Sequence, residues 1–204
     1  TWPAGAITED TLAYFRGDSD FRNYVLLELP HHTGLVPAAG GARDWSVSIV
    51  RNFLYSALMV QVWERLQQST DEHLAAIAAK SLKEVRYHLR HSRDWLLRLG
   101  DGTPESHRRA QAAGDYLLPF TEEFWSTSAL EAEALDQGTG VDVPALRAAW
   151  NQTVDEALLE ATLTRPADTK RYVPEGKRGV HSEHLGYLLG EMQSLARQHP
   201  GAVW

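Results

Sequence analysis

Residues 45–68 read WSVSIVRNFLYSALMVQVWERLQQ, and this stretch decides the fold of the 204-residue chain. Apolar side chains recur at three- and four-residue steps, as on an α-helix, but they also cover most of its circumference. The apolar positions are Ile49, Val50, Phe53, Leu54, Ala57, Leu58, Val60, Val62, Trp63 and Leu66. A helix with one wet face would carry more polar residues, so the stretch predicts a helix at the centre of a helical bundle.

Two more long helices are predicted directly downstream. Between Asp71 and Leu99, apolar residues that include Leu82 and Trp95 recur at helical steps, and Gly100 is the expected cap. Thr103 begins the next helix, which we expect to run to about Trp125 and to bend near Pro119, where a backbone donor is missing.

The rest of the chain predicts shorter or terminal helices and two loops. The helices are expected at Thr8–Phe15, Asp18–Leu29, Ser128–Gln137, Pro144–Ala161 and His181–Gln198. The loops are expected at Pro30–Asp44 and Thr162–Gly179. No segment shows sustained strand alternation, so the predicted fold class is all-α, with residues 1–204 forming one helical-bundle domain.

Composition limits the classes of function. A net charge of −7 argues against nucleic-acid binding, which needs a surplus of Lys and Arg on one face. The absence of cysteine excludes disulfides, a thiolate nucleophile and thiolate metal ligands. We find neither a signal-peptide pattern nor an apolar run that could span a membrane, so we expect a cytoplasmic protein.

Two clusters could ligate metal, because carboxylates and histidines one turn apart on inward helix faces hold two ions in many bundles. Glu84 and His88 lie four residues apart on the second long helix. His181 and His184 flank Glu183 at the start of the last helix. The favoured interpretation of Glu84 and His88 is a side-chain contact on a helix flank. That of the second cluster is capping and hydrogen bonding at a helix start.

The central helix supplies few metal ligands. It has Ser56 and Met59 across its buried middle, and its carboxylate, Glu64, lies near its end. We therefore predict no catalytic, cofactor-binding or metal-binding residue in this chain.

A basic segment interrupts the acidic chain between Arg165 and Arg178. It contains five cations and two carboxylates. They are Arg165, Lys170, Arg171, Lys177 and Arg178 against Asp168 and Glu175. The segment could meet an acidic partner or the phosphates of an acyl-coenzyme A, or it could be a solvated loop.

Several stretches resemble one known family. They are AIAAKSLKEVRYHLRHSRDWLLRLGDG from Ala76, GVHSEHLGYLLGEMQSLARQHP from Gly179, FRNYVLLE from Phe21, SIVRNFLYSA from Ser48, VDVPALRAAW from Val141 and EATLTRP from Glu160. Together they resemble the C-subunit family of bacterial phenylacetyl-CoA 1,2-epoxidase, a multicomponent ring monooxygenase of aerobic phenylacetate degradation.

The resemblance implies a ferritin-like structural subunit without a cofactor of its own. Its expected partner is the catalytic subunit that holds the di-iron centre, in a homo- or hetero-oligomer. Members of the family carry Asp and His at the positions of Ser56 and Met59, so remnants of a metal site are further reduced here. Members also begin with two more helices, which we expect this chain to lack.

Two other functions remain open from the sequence. The chain could be a di-iron or di-manganese oxidoreductase, with Glu84, His88, Glu183 and His184 as ligands and help from Glu64 or Glu191. It could also be a stand-alone homodimer whose basic segment binds a coenzyme A ester. Whether the chain is itself an enzyme is therefore uncertain, although a non-catalytic role is favoured.

Overall fold

The computed structural model describes residues 7–33, 43–167 and 174–202. Helices and 3₁₀ turns are the only regular elements in these ranges, which confirms the all-α class. The α-helices there are α1 (Glu9–Tyr14), α2 (Trp45–Leu66), α3 (Glu72–Gly100), α4 (Pro104–Leu117), α5 (Ala129–Asp136), α6 (Arg147–Glu160) and α7 (Glu183–Gln198).

The contacts of the chain divide into two compact units. The large unit is His31–Val173, and the terminal unit joins Thr1–Pro30 to Pro174–Trp204. The hypothesis of one domain over residues 1–204 stays a prediction.

Helix α2 is the central element of the large unit, as its apolar circumference predicts. It packs against α3, α4 and α6. Phe53, Leu54 and Leu58 are almost fully buried, and the indole of Trp150 on α6 donates a 3.1 Å hydrogen bond to the Leu54 carbonyl. Burying a side chain of this size contributes about 1.5–3 kcal/mol, so the stability of the large unit is concentrated around α2.

Helix α3 begins where predicted, because the Asp71 carboxylate accepts hydrogen bonds from the backbone N–H groups of residues 73 and 74. Gly100 is its last helical residue and not the expected cap. A Cβ at Gly100 would lie 2.1 Å from the carbonyl oxygen of Ala161, so the close approach of the backbone after α6 requires a glycine here.

The predicted helix from Thr103 to Trp125 changes type instead of only bending. Helix α4 ends at Leu117, and Leu118–Trp125 continues as a 3₁₀ helix around Pro119. Proline removes one backbone donor and crowds the preceding turn, so the tighter helix replaces the α-helical hydrogen bonds there.

The predicted helix at Asp18–Leu29 is wrong. The chain forms only two 3₁₀ turns, Asp18–Asp20 and Val25–Leu27, joined by extended residues. Val25 and Leu26 are nevertheless fully buried, so the apolar spacing is satisfied without a helix. Of the loop expected at Pro30–Asp44, residues 34–42 lie outside the described residues.

The other helices agree with the sequence patterns. Ser128 and Glu131 form the expected capping box of α5, which ends before Gly138. Pro144–Leu146 is a 3₁₀ turn that leads into α6. In the terminal unit, α1 packs on α7, and the Gln193 amide donates to the carbonyls of residues 13 and 16.

Candidate functional site

The middle of α2 does not have the donors of a dimetal centre. Ser56 is buried, Met59 is partly buried, and Ala57 and Leu58 between them are buried apolar residues. The neighbouring interior is filled by rings, with Phe124 and Trp150 packed edge to face at 6.0 Å. A serine hydroxyl and a thioether are poor ligands for iron or manganese, so these residues do not fit such a group.

Glu84 and His88 lie on the exposed side of α3, not toward the core. Tyr87, between them, is 56% exposed and stacks on the imidazole of His91 at 6.0 Å. The guanidinium of Arg90 lies 5.6 Å from the Tyr87 ring. This cluster is therefore part of an aromatic and basic helix surface.

His181 belongs to the second candidate cluster, at the start of the last helix. Its side chain is buried against a carboxylate, that of Glu28, which the sequence did not predict as a partner. Its Nδ1 lies 2.6 Å from Oε1 of Glu28, and its Nε2 lies 3.1 Å from the carbonyl oxygen of Phe21. The His181 and Glu28 side chains are only 6% and 1% exposed. Both ring nitrogens therefore have protein partners.

Glu28 is the hub of this buried cluster. Its Oε1 also accepts a 2.7 Å hydrogen bond from the Asn23 amide. Its Oε2 accepts hydrogen bonds from the backbone N–H of Ser182 at 2.9 Å and from its hydroxyl at 2.8 Å. Since Ser182 is the N-cap residue of α7, the carboxylate lies at the positive end of the α7 dipole. We refer to Asn23, Glu28, His181 and Ser182 as the Glu28 cluster.

The Glu28 cluster joins two of the stretches that carry the family resemblance, although they are 153 residues apart in sequence. A glycine helps them to approach, because a Cβ at Gly176 would lie 2.1 Å from the Asn23 carbonyl oxygen. The carboxylate between apolar residues in VLLELP was the signal that could have identified Glu28, since an unpaired buried charge is costly.

The remaining candidate metal ligands do not come together with the Glu28 cluster or with Glu84 and His88. Glu183 is exposed and His184 is partly buried at the start of α7. Glu64 forms an ion pair with Arg86 at 2.8 Å. Within residues 7–33, 43–167 and 174–202, no group of three or more His, Asp or Glu could hold a metal ion.

The interior of the large unit contains a second polar cluster that was not predicted. Arg51 of α2 is buried, and desolvation lowers its pKa. Burial raises the pKa of Tyr116 on α4, an effect that the nearby Arg51 charge opposes. Burial also raises the pKa of Tyr55. A cation within the apolar run of residues 45–68 was the available signal.

The basic segment is partly neutralised by its neighbours. Arg165 pairs with Asp155 at 2.7 Å, and Arg178 pairs with Glu175 at 2.8 Å. Lys170 and Arg171 lie outside the described residues. Binding of a coenzyme A ester by this segment stays a prediction.

Exposed apolar surface remains in both units. In the terminal unit, a groove of about 660 Å³ between α1 and α7 is lined by Phe15, Met192 and Leu195. In the large unit, Trp45 is 53% exposed and packs edge to face on Trp95 at 6.1 Å. Exposed rings and aliphatic side chains in contiguous groups are typical of protein-binding surfaces.

These features define an all-α, ferritin-like protein in which the described middle of the central helix α2 offers no metal ligands. A family model described as "Phenylacetic acid catabolic protein" matches residues 4–204, and the chain belongs to that family. It is 42% identical over 201 residues to the C subunit of the 1,2-phenylacetyl-CoA epoxidase of Escherichia coli strain K12. The match covers 98% of this chain and 76% of the relative.

The two matches confirm the resemblance predicted from the sequence, and the chain has a role in phenylacetate catabolism. Because the relative is named as one subunit of an epoxidase, partner subunits are implied as well. No helix in the described parts of the chain is both long and apolar enough to cross a membrane.

Proposed function

We propose that this chain is a structural, non-catalytic subunit of a multicomponent phenylacetyl-CoA 1,2-epoxidase. In this proposal a partner subunit holds the di-iron centre and epoxidises the aromatic ring, while this chain supports that partner through helix surfaces. The relative that is 42% identical over nearly the whole chain is itself the C subunit of such an epoxidase, which supports the proposal.

The middle of α2 carries the argument for a non-catalytic role. A dimetal centre in a helical bundle needs about four carboxylates and two histidines that face one another. Ser56 and Met59 cannot supply them, and the candidate ligands on α3, Glu84 and His88, are exposed. The chemistry of the donor set thus favours a supporting subunit over a di-metal oxidoreductase.

Metal analysis tests the proposal. The chain is purified alone and after co-expression with the di-iron catalytic subunit of a phenylacetyl-CoA epoxidase, and iron is measured by elemental mass spectrometry. We expect less than about 0.1 iron per isolated chain and about two irons per complex, because a di-iron centre holds two ions. About two irons per isolated chain would show that the chain is itself a di-metal protein.

A double variant sharpens this comparison. Glu84→Ala with His88→Ala removes the exposed pair of possible ligands on α3. The proposal expects the iron content of the complex to remain unchanged in this variant. Loss of iron from the complex in a correctly folded variant would favour the di-metal alternative.

A further inference from the structure

The longest helix of the chain is mostly uncovered. Helix α3 has 29 residues, about 43 Å at 1.5 Å per residue, yet only Ala78, Leu82, Ser92, Leu96 and Gly100 are buried. These five residues form one narrow seam, which packs against the rest of the large unit. The opposite side of the helix faces solvent along its whole length.

That opposite side carries rings and an aliphatic side chain. Ile77, Lys80, Tyr87, His91 and Arg98 are all exposed there and recur at three-, four- or seven-residue steps, as on one side of a helix. We call these five residues, together with Trp45 at the start of α2, the α3 outer face. Trp45 extends the surface, because its indole packs on the Trp95 indole.

The cations of α3 are partly free to meet a partner. Arg86 and Arg93 form ion pairs with Glu64 and Glu160 of neighbouring helices. The other four cations of the helix form no ion pair with any residue that the structure describes; they are Lys80, Lys83, Arg90 and Arg98. The guanidinium of Arg98 lies 5.3 Å from the Trp95 ring, so charge and aromatic surface occur together.

The charge of α3 differs from that of the rest of the chain. The helix has six Lys and Arg against three Asp and Glu, a net charge of +3. The whole chain has a net charge of −7, so the residues outside α3 together have a net charge of −10. A partner that complements this face is acidic and also supplies apolar side chains for the rings.

The same charge disfavours two other occupants. A symmetric contact between two copies through this face would bring two helices of charge +3 together, which is repulsive. A polyphosphate or nucleic acid would also meet Glu84 and Asp94, which lie exposed among the cations.

We propose that the α3 outer face binds a helix of a different subunit, one that presents apolar side chains between carboxylates. This inference rests on the proposed function and adds the surface and the chemistry of the partner. Tyr87, at the middle of the face, is the expected anchor, because aromatic residues at interface centres are commonly binding hot spots.

Binding measurements test the inference with matched variants. The full chain is titrated with the co-purifying di-iron catalytic subunit of a phenylacetyl-CoA epoxidase, at low and high salt. Tyr87→Ala is compared with Leu159→Ala, which removes an 80% exposed side chain from α6. Lys80→Glu is compared with Arg108→Glu, another exposed cation on a different helix. Circular dichroism confirms that each variant is folded.

We expect Tyr87→Ala to weaken binding by about 30-fold and Lys80→Glu to slow association by about tenfold at low salt, with both controls near wild type. If the wild type forms the complex but the four variants bind equally well, the α3 inference is wrong and the proposed function survives. If the wild type forms no complex, both are wrong. A homodimer that Tyr87→Ala dissociates would overturn the choice of a different subunit.

Discussion

Removing the carboxylate of Glu28 should loosen the terminal unit, because four hydrogen-bond donors converge on it. In the Glu28→Ala variant the imidazole of His181, the amide of Asn23 and both donors of Ser182 lose their acceptor. The Glu28 and His181 side chains are almost fully buried, so water cannot readily replace the carboxylate. The polar groups left behind carry the full cost of desolvation.

The size of the effect follows from this burial. Leaving one buried donor without its acceptor costs about 1–3 kcal/mol, and several donors lose theirs here, whereas an exposed ion pair contributes about 0–1 kcal/mol. We therefore expect Glu28→Ala to lower the free energy of opening of α7 by about 3 kcal/mol. Arg178→Ala breaks an exposed ion pair in the same unit, with Glu175, and should change it by less than about 1 kcal/mol.

Amide hydrogen exchange of the α7 peptides is the appropriate measurement. A loss of about 3 kcal/mol corresponds to exchange that is about 100-fold faster in peptides of residues 183–198. His181→Ala and the double variant complete a double-mutant cycle with Glu28→Ala, whose coupling energy should exceed about 1.5 kcal/mol. Unchanged exchange in Glu28→Ala, or additive effects in the cycle, would refute the role assigned to the cluster.

Three further predictions concern the large unit. Leu82→Ala should lower the free energy of unfolding in urea by about 2–5 kcal/mol, because Leu82 is buried. Trp95→Ala should lower it by less, because Trp95 is partly exposed, and equal losses in the two variants would contradict this. Gly100→Ala should destabilise the fold because the new Cβ would lie 2.1 Å from a backbone oxygen, and this clash outweighs the roughly 1 kcal/mol by which alanine is preferred over glycine in a helix. Gly114→Ala is the control, because the space around its Cβ is open and the variant should not be destabilised. Burial raises the pKa of Tyr55 above its ordinary value of 10.0, so the unfolded state loses the phenol proton at a lower pH than the folded state. The free energy of unfolding should therefore fall as the pH rises above about 10. Tyr55→Phe should make that fall less steep when unfolding is measured as a function of pH.

Local signals in the sequence were sufficient for most helices. The apolar run of residues 45–68 predicted the central helix, because only burial on several sides satisfies such a pattern. Ser128 and Glu131 predicted the start of α5, because a capping box satisfies backbone donors within four residues. Both signals depend on side chains that act within a turn or two of their own helix.

The failures occurred where distant residues determine the structure. Residues 18–29 have a helix-like apolar spacing, yet Glu28 at the end of the segment bonds to His181 and Ser182 from the other end of the chain. A spacing pattern contains no information on such a partner. For the same reason, the spacing of His181, Glu183 and His184 indicates possible metal ligands but gives no sign of the Glu28 carboxylate that contacts His181.

The exposure of α3 links the packing of the bundle to the proposed function. The sequence predicted an apolar repeat on this helix that included Trp95, but Trp95 is only partly buried, and Ile77 on the same helix is 55% exposed. Because only one narrow seam of this 29-residue helix is buried, tertiary packing stabilises it little for its length. Rings and aliphatic groups at its uncovered positions would lower the free energy further if another helix covered them, since each side chain transferred from water contributes about 1.5–3 kcal/mol. The departure from the predicted repeat therefore supports the proposal that this helix binds a partner subunit.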